Sequence, residues 1–156
     1  MALTSARIAK HPIHPMLVVL PLGLWVAALV FDVIYAITGH PSLRTAAFWN
    51  VGAGVVGALL AAIPGFVDWY GMTGRAGRLA TYHMLLNLGA VAIFAVNWFV
   101  RTRVASGSSW PLILSIVGVI GVGISGWLGG ELVYVHRVGV EEEEDRRTAA
   151  RQRRVA

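Results

Sequence analysis

The chain reads as an all-α integral membrane protein, a four-helix up-down bundle. Three observations predict this. Of 156 residues, 56% are hydrophobic and only 13% charged, about half the charge of an ordinary soluble domain. The apolar residues collect in four stretches, roughly 15–37, 46–70, 82–100 and 110–135. Each has about the 20 residues a helix needs to cross the hydrocarbon core. Backbone polar groups in lipid must be satisfied within their own segment, which selects helices. The connections, 38–44, 71–78 and 101–109, are short and rich in turn residues, so neighbouring helices run antiparallel. This gives one transmembrane domain over residues 1–140 and a charged tail over 141–156.

The first helix follows the lead HPIHP (11–15). Pro12 and Pro15 disfavour helix before them, and Pro15 suits a first helical turn. His14 therefore lies near the helix cap and His11 in the turn before it. Arg7 and Lys10 precede this stretch, as in a signal peptide. It is too long for one, and no small-x-small cleavage site follows, so it reads as a retained helix.

The second helix carries Gly54, Gly57 and Ala61 on one side. The third opens with His83, and Asn87 lies one turn later on the same face. The fourth is studded with Gly118, Gly121, Gly126, Gly129 and Gly130, and closes at His136. Small residues let helix backbones approach closely in lipid; they also leave room for a flat cofactor. The tail begins EEEED and ends RRTAARQRR. Glu142–Arg146 and Glu143–Arg147 have helical i,i+4 spacing, which fits a solvated helix. Its terminal arginines also suit anionic lipid. The formal charge is +5, but both signs stand side by side, which argues against nucleic acid. Cysteine is absent, which removes disulfides, thiolate ligands and iron–sulfur clusters.

Four spans put both termini on one side with the connection at 71–78. Ten basic residues fall on that side: Arg7, Lys10, Arg75, Arg78, Arg137, Arg146, Arg147, Arg151, Arg153 and Arg154. Three fall on the other: Arg44, Arg101 and Arg103. The asymmetry predicts cytoplasmic termini in a bacterial inner membrane. Trp49, Trp98 and Trp110 suit the outer interface; Trp69, Tyr70, Tyr82 and Tyr134 suit the inner one.

The chemistry gathers at the inner face. His14, Asp68, His83 and His136 come from four different helices at one depth, with His11 beside them. Ionisable groups at a membrane edge are costly, and such a cluster marks a functional site. Imidazole with carboxylate suits zinc, iron, copper or manganese; two facing imidazoles suit haem iron. The expected ligands are His14, His83 and His136, with His11 and Asp68 joining them around a metal. Asp68 can also orient a histidine through its second ring nitrogen, as can Asn87. Glu131 is a weaker outer candidate, five residues before His136. The expected cofactor is haem b, or iron, copper or zinc. The alternative is a hydrogen-bonded polar plug that ties helix ends together in a non-catalytic scaffold. A channel needs a polar path through the middle, and the central stretches are Leu, Val, Ala, Ile and Gly. Asp32, Asn50 and Asn97 lie toward the outer side. A two-level haem relay lacks outer ligands, where only His40 stands. No catalytic residue is assigned. The expected partners are the lipid bilayer, a redox partner protein and a second copy of the chain.

The stretches HPIHPMLVVLPLGLW (11–25), FD (31–32), IPGFVDW (63–69), HMLLNL (83–88) and SGWLGGELVYVHRVGV (125–140) resemble the family called domain of unknown function 2231. The resemblance implies a small four-helix bacterial membrane protein. Its motif residues coincide with His11, His14, Asp68, His83, Glu131 and His136. Some relatives look fused to a Rieske-type iron–sulfur domain, which hints at electron transfer. One departure is Arg137, where the family pattern leads us to expect glycine before the VGV triplet, and where the turn after the fourth helix is expected to loosen.

Overall fold

The computed structural model describes residues 6–8 and 11–140. The charged tail at 141–156 lies outside the described residues. Four helices follow one another: α1 (Ile13–Thr38), α2 (Pro41–Tyr70), α3 (Gly74–Arg103) and α4 (Trp110–Tyr134). All four are long and apolar enough to cross a membrane. α1, α2 and α3 outrun their apolar stretches because lipid dictates only the part of a helix that it covers. A helix of 30 residues spans about 45 Å against a hydrocarbon core of about 30 Å. The connections therefore shrink to 39–40, 71–73 and 104–109.

The ends have local causes. Pro12, at the N-cap, is extended. α2 opens with Pro41 in its first turn, where the missing N–H costs nothing. α1 stops at Gly39, whose φ of 70° only glycine adopts freely; its N–H closes on Tyr35 O at 2.8 Å. Before α1, two short strands, β1 (Arg7–Ile8) and β2 (His11–Pro12), pair antiparallel. Ile13 N–H donates to Ala6 O at 3.0 Å, which folds this ribbon back at the start of α1.

Each helix packs on its neighbours in sequence, and α4 closes the ring against α1. The closest packing is within α1–α2 and within α3–α4. At the centre Trp25 stacks on Phe94, with ring centroids 4.2 Å apart and planes 10° from parallel. Trp25 Nε1–H donates to Val51 O at 3.3 Å. Gly54 lies against the Trp25 ring and Gly118 against the Phe94 ring. A Cβ at Gly118 would stand 2.6 Å from Phe94, and one at Gly54 would collide with Trp25. The outward faces carry Val19, Ile63 and Trp127, all largely exposed, as lipid-facing surfaces require.

The two hairpins match. On α1 and α3, the residues facing across the bundle are His14 with His83, Trp25 with Phe94, and Asp32 with Arg101. Each pair is 69 residues apart. On α2 and α4, Ala61 and Ser125 accept from the two histidines, Gly54 and Gly118 seat the two large rings, and Gly65 and Gly129 seat the two imidazoles. Each of these pairs is 64 residues apart. The bundle is thus an approximate two-fold arrangement of α1–α2 and α3–α4 about its long axis. Three pairs of side chains meet on that axis.

Candidate functional site

The axis carries polar groups at two levels. His14 and Asp32 are 18 residues apart on α1, which is about 27 Å along a helix. The levels therefore fall near opposite edges of a hydrocarbon layer of about 30 Å, with the Trp25–Phe94 stack between them.

The histidine level is built the same way twice. His14 Nδ1 lies 2.8 Å from Ala61 O on α2, and the ring sits over Gly65, where a Cβ would come within 2.7 Å of Nδ1. His83 Nδ1 lies 2.8 Å from Ser125 O on α4, and its ring sits over Gly129, where a Cβ would meet Cε1 at 3.0 Å. A carbonyl oxygen only accepts, so in each ring Nδ1 carries a proton. The two rings face each other with centroids 6.2 Å apart and planes 88° to one another. Asn87 Nδ2 stands 3.0 Å from His83 Nε2; an amide nitrogen only donates, so Nε2 of His83 accepts. Ser125 Oγ donates to His83 O at 3.3 Å.

The other expected site residues are placed elsewhere. α3 begins at Gly74, so His83 lies about two and a half turns inside the helix, and does not open it. Asp68 Oδ1 accepts the Ala6 N–H at 2.6 Å, latching the N-terminal ribbon to the end of α2. His11 is in β2, opposite Ile8. His136 follows α4, and its backbone N–H donates to Glu131 O at 3.1 Å. Asn87 does reach His83, but at the nitrogen that a metal would use, not as an orienter of the protonated one. Among the described residues, no three His, Cys, Asp or Glu side chains group as a set that could hold a metal ion. The histidine level is therefore a pair.

The second level holds a buried ion pair. Arg101 NH1 donates to Asp32 Oδ1 at 2.8 Å and NH2 to Oδ2 at 2.5 Å. Ser115 Oγ donates to Asp32 Oδ2 at 2.6 Å, and Asn97 Oδ1 accepts Arg101 Nε–H at 3.0 Å. Asn97 Nδ2 reaches Ser115 Oγ at 2.9 Å and Pro111 O at 3.2 Å. These groups fill one another's hydrogen bonds. Arg44 caps the end of α3 from outside, donating to Val104 O at 2.9 Å and Ser106 Oγ at 2.8 Å. Arg101, which the sequence places in an outer connection, is inside the bundle.

The family model described as predicted membrane protein (DUF2231) matches residues 10–142. The chain belongs to that family. The match covers all four helices and both polar levels. A search of curated proteins found no match, and a search of solved structures found none.

Two parts of this family member's site escaped the sequence reading. One is the pairing of Gly65 and Gly129 with the imidazoles. The other is the Asp32–Arg101 pair. The signal for the second is that His14, Trp25 and Asp32 repeat their spacing in His83, Phe94 and Arg101; for the first, Gly54, Ala61 and Gly65 repeat theirs in Gly118, Ser125 and Gly129.

Proposed function

We propose that the His14–His83 pair binds a transition metal or haem, and that the protein serves electron transfer within a bacterial inner membrane. One observation carries the reading. Two imidazoles from opposite halves are both held through Nδ1 with ring centroids 6.2 Å apart, so Nε2 is the remaining nitrogen of each, the one on His83 meeting Asn87. A metal at this site would be held by His14 Nε2 and His83 Nε2, one from each half of the bundle. Backbone carbonyls on the second nitrogen are the usual orienters of metal-ligating histidines. Ligation at His83 Nε2 would require the Asn87 amide to leave that nitrogen.

The same reading places the pair at the cytoplasmic face. Arg101 is buried, so the basic residues of the far connections reduce to Arg44 and Arg103. The near side keeps its ten. A redox partner protein then docks on that face.

A second reading, a non-catalytic scaffold, is favoured by His83 itself, since both its ring nitrogens already have protein partners. Metal and haem analysis of the purified protein separates the two. After expression with supplemented haem, iron, copper and zinc, the first reading expects about one metal per chain. Colourless, metal-free protein would leave the scaffold.

A further inference from the structure

We infer that the histidine pair takes one metalloporphyrin of the haem b type, and not a bare ion. This rests on the proposed metal-binding reading of the same site.

The donor count comes first. A bare zinc ion asks for four ligands, three of them from protein even in catalytic sites. Here the protein offers two nitrogens, and no third metal-capable side chain joins them among the described residues. The other positions at the rings are Ala61, Gly65, Asn87, Ser125 and Gly129, none of them a ready metal ligand. A metal that stays at this site must bring its remaining donors with it. A porphyrin brings four in one plane and leaves two axial positions free, which is the number of imidazoles present.

The symmetry comes second. The two rings are seated alike, each over a glycine and each tied to the carbonyl four residues before that glycine. A planar ligand crossing the axis meets the same imidazole on both faces. His11 and His136 have no such counterparts: the matching positions are Ala80 and Met72.

The charge comes third. Haem b carries two propionates. Arg75 and Arg78, both exposed, precede His83 on α3 by eight and five residues. They stand about 7–12 Å further toward that end of α3, and of the two Arg75, about 80° around the helix from His83, lies nearer its face.

The test uses the full chain in detergent, titrated with haemin, and in parallel with Zn²⁺ and Cu²⁺ alone. The key variants are His14→Asn and His83→Asn. The asparagine amide can still donate to Ala61 O or Ser125 O, so the fold keeps its pin while Nε2 is removed. The expected result is one low-spin, six-coordinate haem per chain. Either variant loses the six-coordinate spectrum while its helical circular dichroism is retained, and His11→Ala and His136→Ala keep it. One bare ion per chain that depends on both histidines, with no haem uptake, would overturn this inference and leave the metal reading intact. No uptake of haemin or of either ion would overturn both.

Discussion

Replacing Asp32 by alanine is the sharpest test of the bundle's architecture. The carboxylate accepts two guanidinium N–H bonds and one hydroxyl bond, all buried. Its loss leaves the Arg101 guanidinium inside the bundle, with Asn97 Oδ1 and Ser115 Oγ as its remaining partners. Breaking one side of a buried pair typically costs 3–5 kcal/mol, because a charge is stranded. That is a shift of about 100- to several-thousand-fold in the unfolding equilibrium. Removing both charges strands no charge and leaves only the neutral Ser115 hydroxyl and Asn97 Oδ1 short of a partner, so Asp32→Leu with Arg101→Met should be clearly more stable than Asp32→Ala, as apolar replacements of buried pairs often are. Reversible unfolding in mixed micelles can follow both, with the buried Trp25 among the fluorescent reporters. Asp32→Ala within about 1 kcal/mol of the parent would refute the reasoning. So would a double variant as unstable as the worse single one, since the two effects should be strongly coupled.

Further outcomes follow from the axis and the connections. Exchanging the charges, Asp32→Arg with Arg101→Asp, should recover most of the stability lost in either single change, as measured by the same unfolding titration. Gly54→Ala and Gly118→Ala should each cost about 1–3 kcal/mol, because a Cβ at either position overpacks the central aromatic stack; thermal melts would show the loss. Arg137 holds a left-handed φ of 54°, so Arg137→Gly should raise stability by up to about 1 kcal/mol, again read from melts. Single cysteines placed at His40 and after Ala156 should label from the periplasm and from the cytoplasm respectively; the reverse pattern would invert the proposed orientation.

The sequence carried the number and order of the helices because lipid makes apolar length a nearly direct readout of a span. It carried the ends less well. Gly74 to Thr81 is helical although glycine-rich and basic, since a helix already committed in lipid extends into the interface at little cost. That extension is why His83 lies inside α3 and meets His14. Depth along a helix was legible; the face on which a side chain lands was not. Asp68 and His136 share the membrane end with the two histidines, yet Asp68 turns to the Ala6 amide and His136 lies beyond α4. Arg101 looked like a loop cation because charge counting ignores a partner 69 residues away. Arg137 was recognisable as a place for glycine, and its positive φ gives the physical reason. The turn nevertheless closes there, with Val138 N–H on Leu132 O at 2.9 Å.

The matched hairpins restrict what the axis can hold. Were the halves two identical chains, every axial residue would confront its own copy. Paired imidazoles, or paired aromatic rings, tolerate such self-confrontation. A carboxylate would face a carboxylate, and a guanidinium a guanidinium, in a medium that screens neither. Joining the halves through residues 71–73 frees each position to diverge from its counterpart. The covalent link thus allows opposite charges at one end of the molecule, and with them a fixed pairing of unlike halves, while the other end keeps the sameness that a two-sided ligand demands.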